Sequence, residues 1–194
     1  MAIRLLAPML MRVVALLRGI NIGASKRIAM ADLRAIVESL GHTDVETYLQ
    51  SGNVVFTPAK GSVAKDLGSG ISAALDETVG MDVHVLIRTA AELRKVVAGN
   101  PYRREDPTKV VVAFLGDEVD LGDLALGDLS GYLPDELTID GRELFVSVPN
   151  GQARSKLMEA LTKRRLPTTV TARNWRTVAA LADLCSGEKE AGRG

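Results

Sequence analysis

Two short segments constrain this chain more than any other feature: Val13-Val14-Ala15-Leu16-Leu17 and Val110-Val111-Val112-Ala113-Phe114-Leu115. Both are rich in β-branched residues and bounded by Gly, Pro or charge, which reads as strand. Successive side chains of a strand point to opposite faces of its sheet, so a strand with one wet face alternates apolar and polar residues. These two do not alternate. Each is apolar on both faces, and something must cover both.

The rest of the chain supplies the cover. Val54 to Phe56 and Val83 to Ile87 read as further strands. Met30, Leu33, Val37 and Leu40 fall on one helical face, with Gly41 as a left-handed stop. Asp44 to Gln50 pairs with Asn53 to Thr57 across Ser51-Gly52, where glycine takes the positive φ of a tight turn. Val63, Leu67, Ile71 and Leu75 mark a second helix, although Gly68 and Gly70 inside it each cost about 1 kcal/mol relative to Ala. Thr89 and Glu92 form a capping box that opens a third helix through Leu93, Val96 and Val97, ended by Gly99 and Pro101. The order strand, helix, strand, strand, helix, strand, then an extra helix, is that of a ferredoxin-like βαββαβ unit.

Residues from 109 onward repeat the order. Val110 to Leu115 is followed by a weak helix carrying Leu121, Leu124 and Leu129, interrupted by Gly122 and Gly127. Glu136 to Ile139 and Glu143 to Val148 form a hairpin across Asp140-Gly141. A helix through Leu157 and Leu161, a strand at Thr168 to Thr171 and a helix with Trp175, Val178, Leu181 and Cys185 complete the set. Gly52 and Phe56 align with Gly141 and Phe145, and Arg88-Thr89 aligns with Arg173-Asn174, an Arg followed by a helix N-cap in each. The expectation is an α+β fold of duplicated ferredoxin-like (βαββαβ) units, each followed by an extra helix. The halves are 12–108 and 109–186, with tails at 1–11 and 187–194. Each half carries helices on one side of its sheet and presents the other side to its twin or to another subunit.

Composition narrows the function classes. A chain of 194 residues, 46% hydrophobic and 25% charged, buries a core without metals or disulfides. It has no run of about 18 apolar residues to span a bilayer, and Met1 to Met11 is broken by Arg4 and too short for a secretory signal. The expected setting is cytoplasmic, with no membrane partner. Cys185 is the single cysteine, and with two histidines it falls short of a zinc site, so no metal and no cofactor is expected. Charge is segregated: the net is +2 over residues 1–108, −7 over 109–150 and +5 over 151–194. The ordinary meaning of such runs is a solvated face; the alternative is a basic region that attracts an anion.

Several blocks carry a family resemblance: Ala15-Leu16-Leu17-Arg18-Gly19-Ile20-Asn21-Ile22-Gly23, Met30-Ala31-Asp32-Leu33-Arg34, Tyr48 to Phe56 (YLQSGNVVF), Arg154-Ser155-Lys156-Leu157 and Arg173-Asn174-Trp175. In this order they resemble a bacterial family catalogued as domain of unknown function sixteen-ninety-seven, over roughly residues 12 to 185. The resemblance implies a duplicated ferredoxin-like fold and no particular activity, so it brings no catalytic residue with it. The family's opening block starts about ten residues into this chain, which makes Met11 an alternative start. Ala153 stands where the family has a glycine before its Arg-Ser-Lys block, which weighs against close backbone approach of a ligand there.

Candidate ligand contacts gather in four places. Gly19 to Arg27 joins the first strand to the first helix, where a helix N-terminus can face an anion, with Arg18, Asn21 and Lys26 as its polar groups. Its spacing is not that of a Walker loop. Asn150 to Lys156 places Arg154 and Lys156 at a helix start, where cations oppose the macrodipole by roughly 0.3 to 1 kcal/mol unless an anion or an acidic segment offsets them. Gln50, Ser51 and Asn53 sit at a hairpin tip; turn chemistry accounts for Ser and Asn, less well for Gln50. Arg173 and Asn174 open the last helix, and core packing is the ordinary reading of Trp175.

Three functions follow as expectations. The first is a binding module for a small anionic ligand, one that carries phosphate being included, held by Arg18, Asn21, Lys26, Arg154 and Arg173. The second is an enzyme of unknown class with a pocket between the halves, using Gln50, Ser51 or His84. No hydrolase triad, metal cluster or carboxylate pair stands out, and His42 reads as a capping or solvated residue. The third is nucleic-acid backbone binding through Arg154, Lys156, Lys163, Arg164 and Arg165. Base stacking is disfavoured because aromatics are 4% of the chain and the first strand has none.

Overall fold

The computed structural model describes residues 12–22, 26–163 and 166–187. Met11, both tails up to residue 11 and from 188, and the basic pair Arg164-Arg165 lie outside the described residues. Within them the fold is α+β, with two four-stranded antiparallel sheets and five α-helices. The first sheet contains β1 (Val13–Leu17), β2 (Thr43–Thr47), β3 (Asn53–Thr57) and β4 (Val85–Thr89), in the order β2-β3-β1-β4. The second contains β5 (Val110–Leu115), β6 (Glu136–Asp140), β7 (Glu143–Ser147) and β8 (Val170–Asn174), in the order β6-β7-β5-β8. The helices are α1 (Met30–Ser39), α2 (Ala64–Val79), α3 (Ala90–Gly99), α4 (Lys156–Lys163) and α5 (Trp175–Ser186).

The two non-alternating strands are covered on both faces. Val13, Ala15 and Leu17 of β1 pack outward with Leu33 and Val37 of α1 and Leu67, Ile71 and Leu75 of α2. Val14 and Leu16 turn inward, into one cluster with Val110, Val112 and Phe114 of β5, Leu93 and Val96 of α3, and Val178 and Leu181 of α5. Val111, Ala113 and Leu115 face outward from the second sheet toward Val119, Leu124, Leu126 and Leu157. Complete burial of each such side chain contributes roughly 1.5–3 kcal/mol relative to exposure. Neither sheet can lose its inner cover without exposing several of them.

Helix starts follow the local chemistry. The Thr89 hydroxyl accepts from the Glu92 N–H while the Glu92 carboxylate accepts from the Thr89 N–H, a complete capping box on α3. The Asn174 side chain accepts from the Thr177 N–H and caps α5. Trp175 packs, half-buried, against the central cluster. Gly41 has a φ of 82° at the end of α1.

Four expectations need correction. The weak helix through Leu121, Leu124 and Leu129 is not an α-helix: turns with positive φ at Ala125 and Gly127 lead to a short 3-10 turn at Leu129–Tyr132. Both closing strands run two or three residues beyond their expected ends, β4 to Thr89 and β8 to Asn174, because pairing with the central strands carries on to the caps. The alignment of Gly52 with Gly141 is one residue out. Leu17 N–H donates to Gly52 O and Leu115 N–H to Arg142 O, so Gly52 corresponds to Arg142, and Val55 to Phe145. His42 is neither solvated nor a cap: it is buried, stacked on Phe56 at 4.6 Å, with Nδ1 accepting from the Ala59 N–H at 3.0 Å.

The two outer faces are covered unequally. On the first sheet α2 lies flush against β4, because a Cβ on Gly68 would stand 2.6 Å from the Val85 carbonyl oxygen. Four residues of α2 are buried, against the single Leu157 of the eight-residue α4. The segment between β5 and β6 covers part of the second sheet's outer face with Val119, Leu124 and Leu126, and the short α4 between β7 and β8 leaves an open cleft beside it.

Candidate functional site

The cleft has a volume of about 670 Å³. Its floor is the outer face of the second sheet, with Val111 and Ala113 of β5, Leu144 and Val146 of β7, and Val170 and Ala172 of β8. Met158, Leu161 and Thr162 of α4 form one wall, and the segment from Leu166 to Thr169 closes it. Among the described residues the charged lining is Arg18 and Asp117. Thr168 fixes Asp117: its hydroxyl donates to the carboxylate and accepts from the Asp117 N–H, both at 2.9 Å.

Among the described residues Arg18 is the one lining residue from the first half of the chain. β8 is the outer strand of its sheet, and Leu17 is tied to it by Arg173, which donates to Leu17 O at 2.8 Å. That tie brings the following residue, Arg18, round the strand to the cleft. Its side chain is exposed and, among the described residues, has no hydrogen-bond or ion-pair partner.

Arg173 itself is deeply placed. Nε donates to Asn53 Oδ1 at 2.5 Å, Nη1 to Thr171 Oγ1 and Ala172 O at 2.8 Å each, and Nη2 to Leu17 O, with longer bonds to Ser51 O and Gly52 O. All five N–H groups are used inside the protein. Burial lowers its pKa to about 10, which leaves it charged at neutral pH. Among the described residues it has no carboxylate partner, in contrast to Arg88, which pairs with Glu143 at 2.7 Å.

The expected contact residues separate. Asn53 is fully buried, with its amide on Tyr48 O and Ser51 Oγ. Asn21, at a φ of 54°, brings its loop together: its side chain donates to Ile28 O and Gln50 O and accepts from the Ile28 N–H. Gln50, Asn21 and Arg27 line a second recess of about 510 Å³ at the start of α1. Lys26 donates to Asp82 O. Arg154 and Lys156 are exposed at the start of α4 without an ion-pair partner among the described residues, and neither lines the cleft. Asn174 is committed to its cap. Ser51, a candidate nucleophile, has Asn53 beside it and no base, while His84 is exposed with its carbonyl accepting from the Arg18 N–H.

Sequence reasoning therefore finds Arg18 and misses the rest of the cleft. Val111, Ala113, Leu144 and Val146 look like any core residues. The available signal was the short apolar stripe of the helix through Leu157 and Leu161: a helix that buries one residue leaves part of its face uncovered.

A family model described as protein of unknown function (DUF1697) matches residues 10–145. The chain belongs to the DUF1697 family. In this DUF1697 protein the match takes in the whole first sheet, Arg18, and the second sheet as far as β7. No curated protein matches the sequence. Among solved structures, this DUF1697 protein is similar to the conserved bacterial protein SP0830 from Streptococcus pneumoniae, with 20% sequence identity and a TM-score of 0.73. The likeness covers 90% of this chain and 98% of that one, and at this identity it speaks for the fold alone. No helix among the described residues is long and apolar enough to cross a membrane.

Proposed function

We propose that this protein is a binding module for a small anionic ligand and that the ligand enters the cleft beside Arg18. The observation that carries the reading is Arg18 itself, a cation without a partner among the described residues, set at a concave site beside a second, buried cation that lacks a carboxylate. Two cations against the one carboxylate, Asp117, among the described residues leave net positive charge at this end of the cleft, and an anion there relieves it. Of the expected contacts, Arg18 binds and Arg173 acts from behind, by holding Leu17.

The fold belongs to the same proposal. Two ferredoxin-like βαββαβ units, residues 12–108 and 109–186, duplicated and then diverged, account for the identical strand orders and for the Arg-then-cap pair at the end of β4 and β8. Divergence shortened the helix between the last two strands of the second unit and opened part of its outer face.

Thermal stabilisation by a panel of anions, with inorganic phosphate and sulfate among them, tests the site. Arg18→Glu abolishes the shift while Arg154→Glu, outside the cleft, leaves it intact. An Arg18→Glu protein that folds and responds to every anion as the wild type does removes the assignment.

A further inference from the structure

Resting on that reading, we infer that the ligand is an amphipathic organic anion: an apolar body laid along the apolar lining between α4 and β8, with one singly charged end, a carboxylate or a phosphodiester, at Arg18. Three observations set this chemistry. The accessible apolar lining, Met158 and Leu161 of α4, Leu166, and Val170 and Ala172 of β8, lies over the buried Val111, Ala113, Leu144 and Val146 and offers no hydrogen-bonding side chain, and the strand backbone is spent on the ladders. A bare inorganic ion seated there would lose its water and find no replacement. The volume, about 670 Å³, is in the range of sites for organic ligands rather than for single ions.

The rim sets the head group. Among the described residues Arg18 is the one cation of the lining, and Asp117, which also lines the cleft, is held in place by Thr168. A carboxylate fixed there repels a second negative charge, so polyphosphates and dicarboxylates are selected against while a monoanion paired with Arg18 is not. Body and head are thus read by different surfaces, the body by the apolar lining and the head by Arg18 from the other half.

Calorimetric titration of the full chain with octanoate, octan-1-ol and inorganic phosphate separates the terms. Octanoate is expected to bind at least tenfold more tightly than either of the others. Arg18→Gln brings octanoate down to the level of octanol, and Ala172→Phe, a substitution at an exposed position lining the cleft, weakens octanoate and octanol together. Phosphate binding as tightly as octanoate, with both lost in Arg18→Gln, overturns the amphipathic ligand and leaves the anion site standing. Equal binding of octanoate and octanol, indifferent to Arg18, overturns the anion site and with it this proposal. Failure of all three probes to bind the wild type at millimolar concentration also overturns it.

Discussion

Arg88 and Arg173 occupy corresponding positions in the two sheets, each one residue before a helix N-cap, and each crosses to the opposite sheet. Arg88 Nη2 donates to the carbonyl of Leu115, the last residue of β5, at 2.7 Å; Arg173 Nη2 donates to the carbonyl of Leu17, the last residue of β1, at 2.8 Å. The exchange is reciprocal in geometry and unequal in charge. Arg88 also meets Glu143 and lies over the Phe114 ring at 5.6 Å, whereas the corresponding partner of Arg173 is the neutral Asn53. Register accounts for the difference, since Asn53 and Glu143 are the first residues of β3 and β7.

That inequality predicts different costs of removal. Arg88→Met strands the Glu143 carboxylate in a largely buried setting and should cost about 3–5 kcal/mol, because an uncompensated charge is left behind. Arg88→Met combined with Glu143→Leu removes the charge and leaves carbonyl oxygens short of donors, at about 1–3 kcal/mol. Arg173→Met takes its own buried charge with it and should also cost about 1–3 kcal/mol. Urea denaturation gives the ranking. A single Arg88→Met no worse than the double substitution would show that Glu143 is solvated well enough not to need its partner.

Two glycines of one helix should respond with opposite sign. Gly68→Ala places a Cβ 2.6 Å from Val85 O, so α2 must lift from β4, at about 1–3 kcal/mol. Gly70→Ala meets nothing within 4 Å and replaces the poorest helix former but proline with the best, a gain of about 0.5–1 kcal/mol. Thermal melts of the two variants decide it; equal stabilisation by both would mean that propensity rather than contact governs this helix. Gly68→Ala bears on the site as well, because it tests why one outer face is closed and the other open.

How far the sequence revealed this architecture depends on the range of the interaction involved. Thr89 and Asn174 were readable as caps because a cap is satisfied within three residues. The two-sided burial of β1 and β5 was readable because alternation is a property of five neighbouring positions. The hairpin alignment slipped by one residue because glycine marks a turn without stating where in it the glycine falls: Gly52 is the last residue before β3, Gly141 the first of the two between β6 and β7. His42 was misread because its partners, Phe56 and Ala59, are supplied by the fold. The cleft was least legible of all. It arises beside a helix that buries one residue, and its floor has the composition of a core.

The burial of His42 sets a pH dependence. Desolvation lowers its pKa below the ordinary value of 6.5, so the unfolded chain takes up this proton more readily than the native one. Stability from the neutral ring is complete above pH 6.5. It declines as the pH falls from there through the native pKa, when the proton also removes the acceptor used by the Ala59 N–H. Denaturation of the wild type and of His42→Gln between pH 7.5 and 5 checks the sign: the wild type should lose more stability than the variant on acidification. Parallel curves would show that the ring is protonated in the native state at little cost.

The last expectation concerns the seam. A fragment of residues 12–108 keeps α1 and α2 on its outer face, but Val14, Leu16 and Val55 of its sheet lose Val112, Phe114 and Phe145 on one side and Val178 and Leu181 on another. α3 alone cannot replace them, and Arg88 is left facing water where it had Glu143 and Leu115 O. A patch of that kind on a small sheet favours self-association over a solvated monomer. Size-exclusion chromatography with light scattering should find the fragment aggregated or paired. A monomer that unfolds cooperatively would mean that the inner face is closed by α3 without the second sheet, and would make the reciprocal arginines an addition to the interface rather than a part of what requires it.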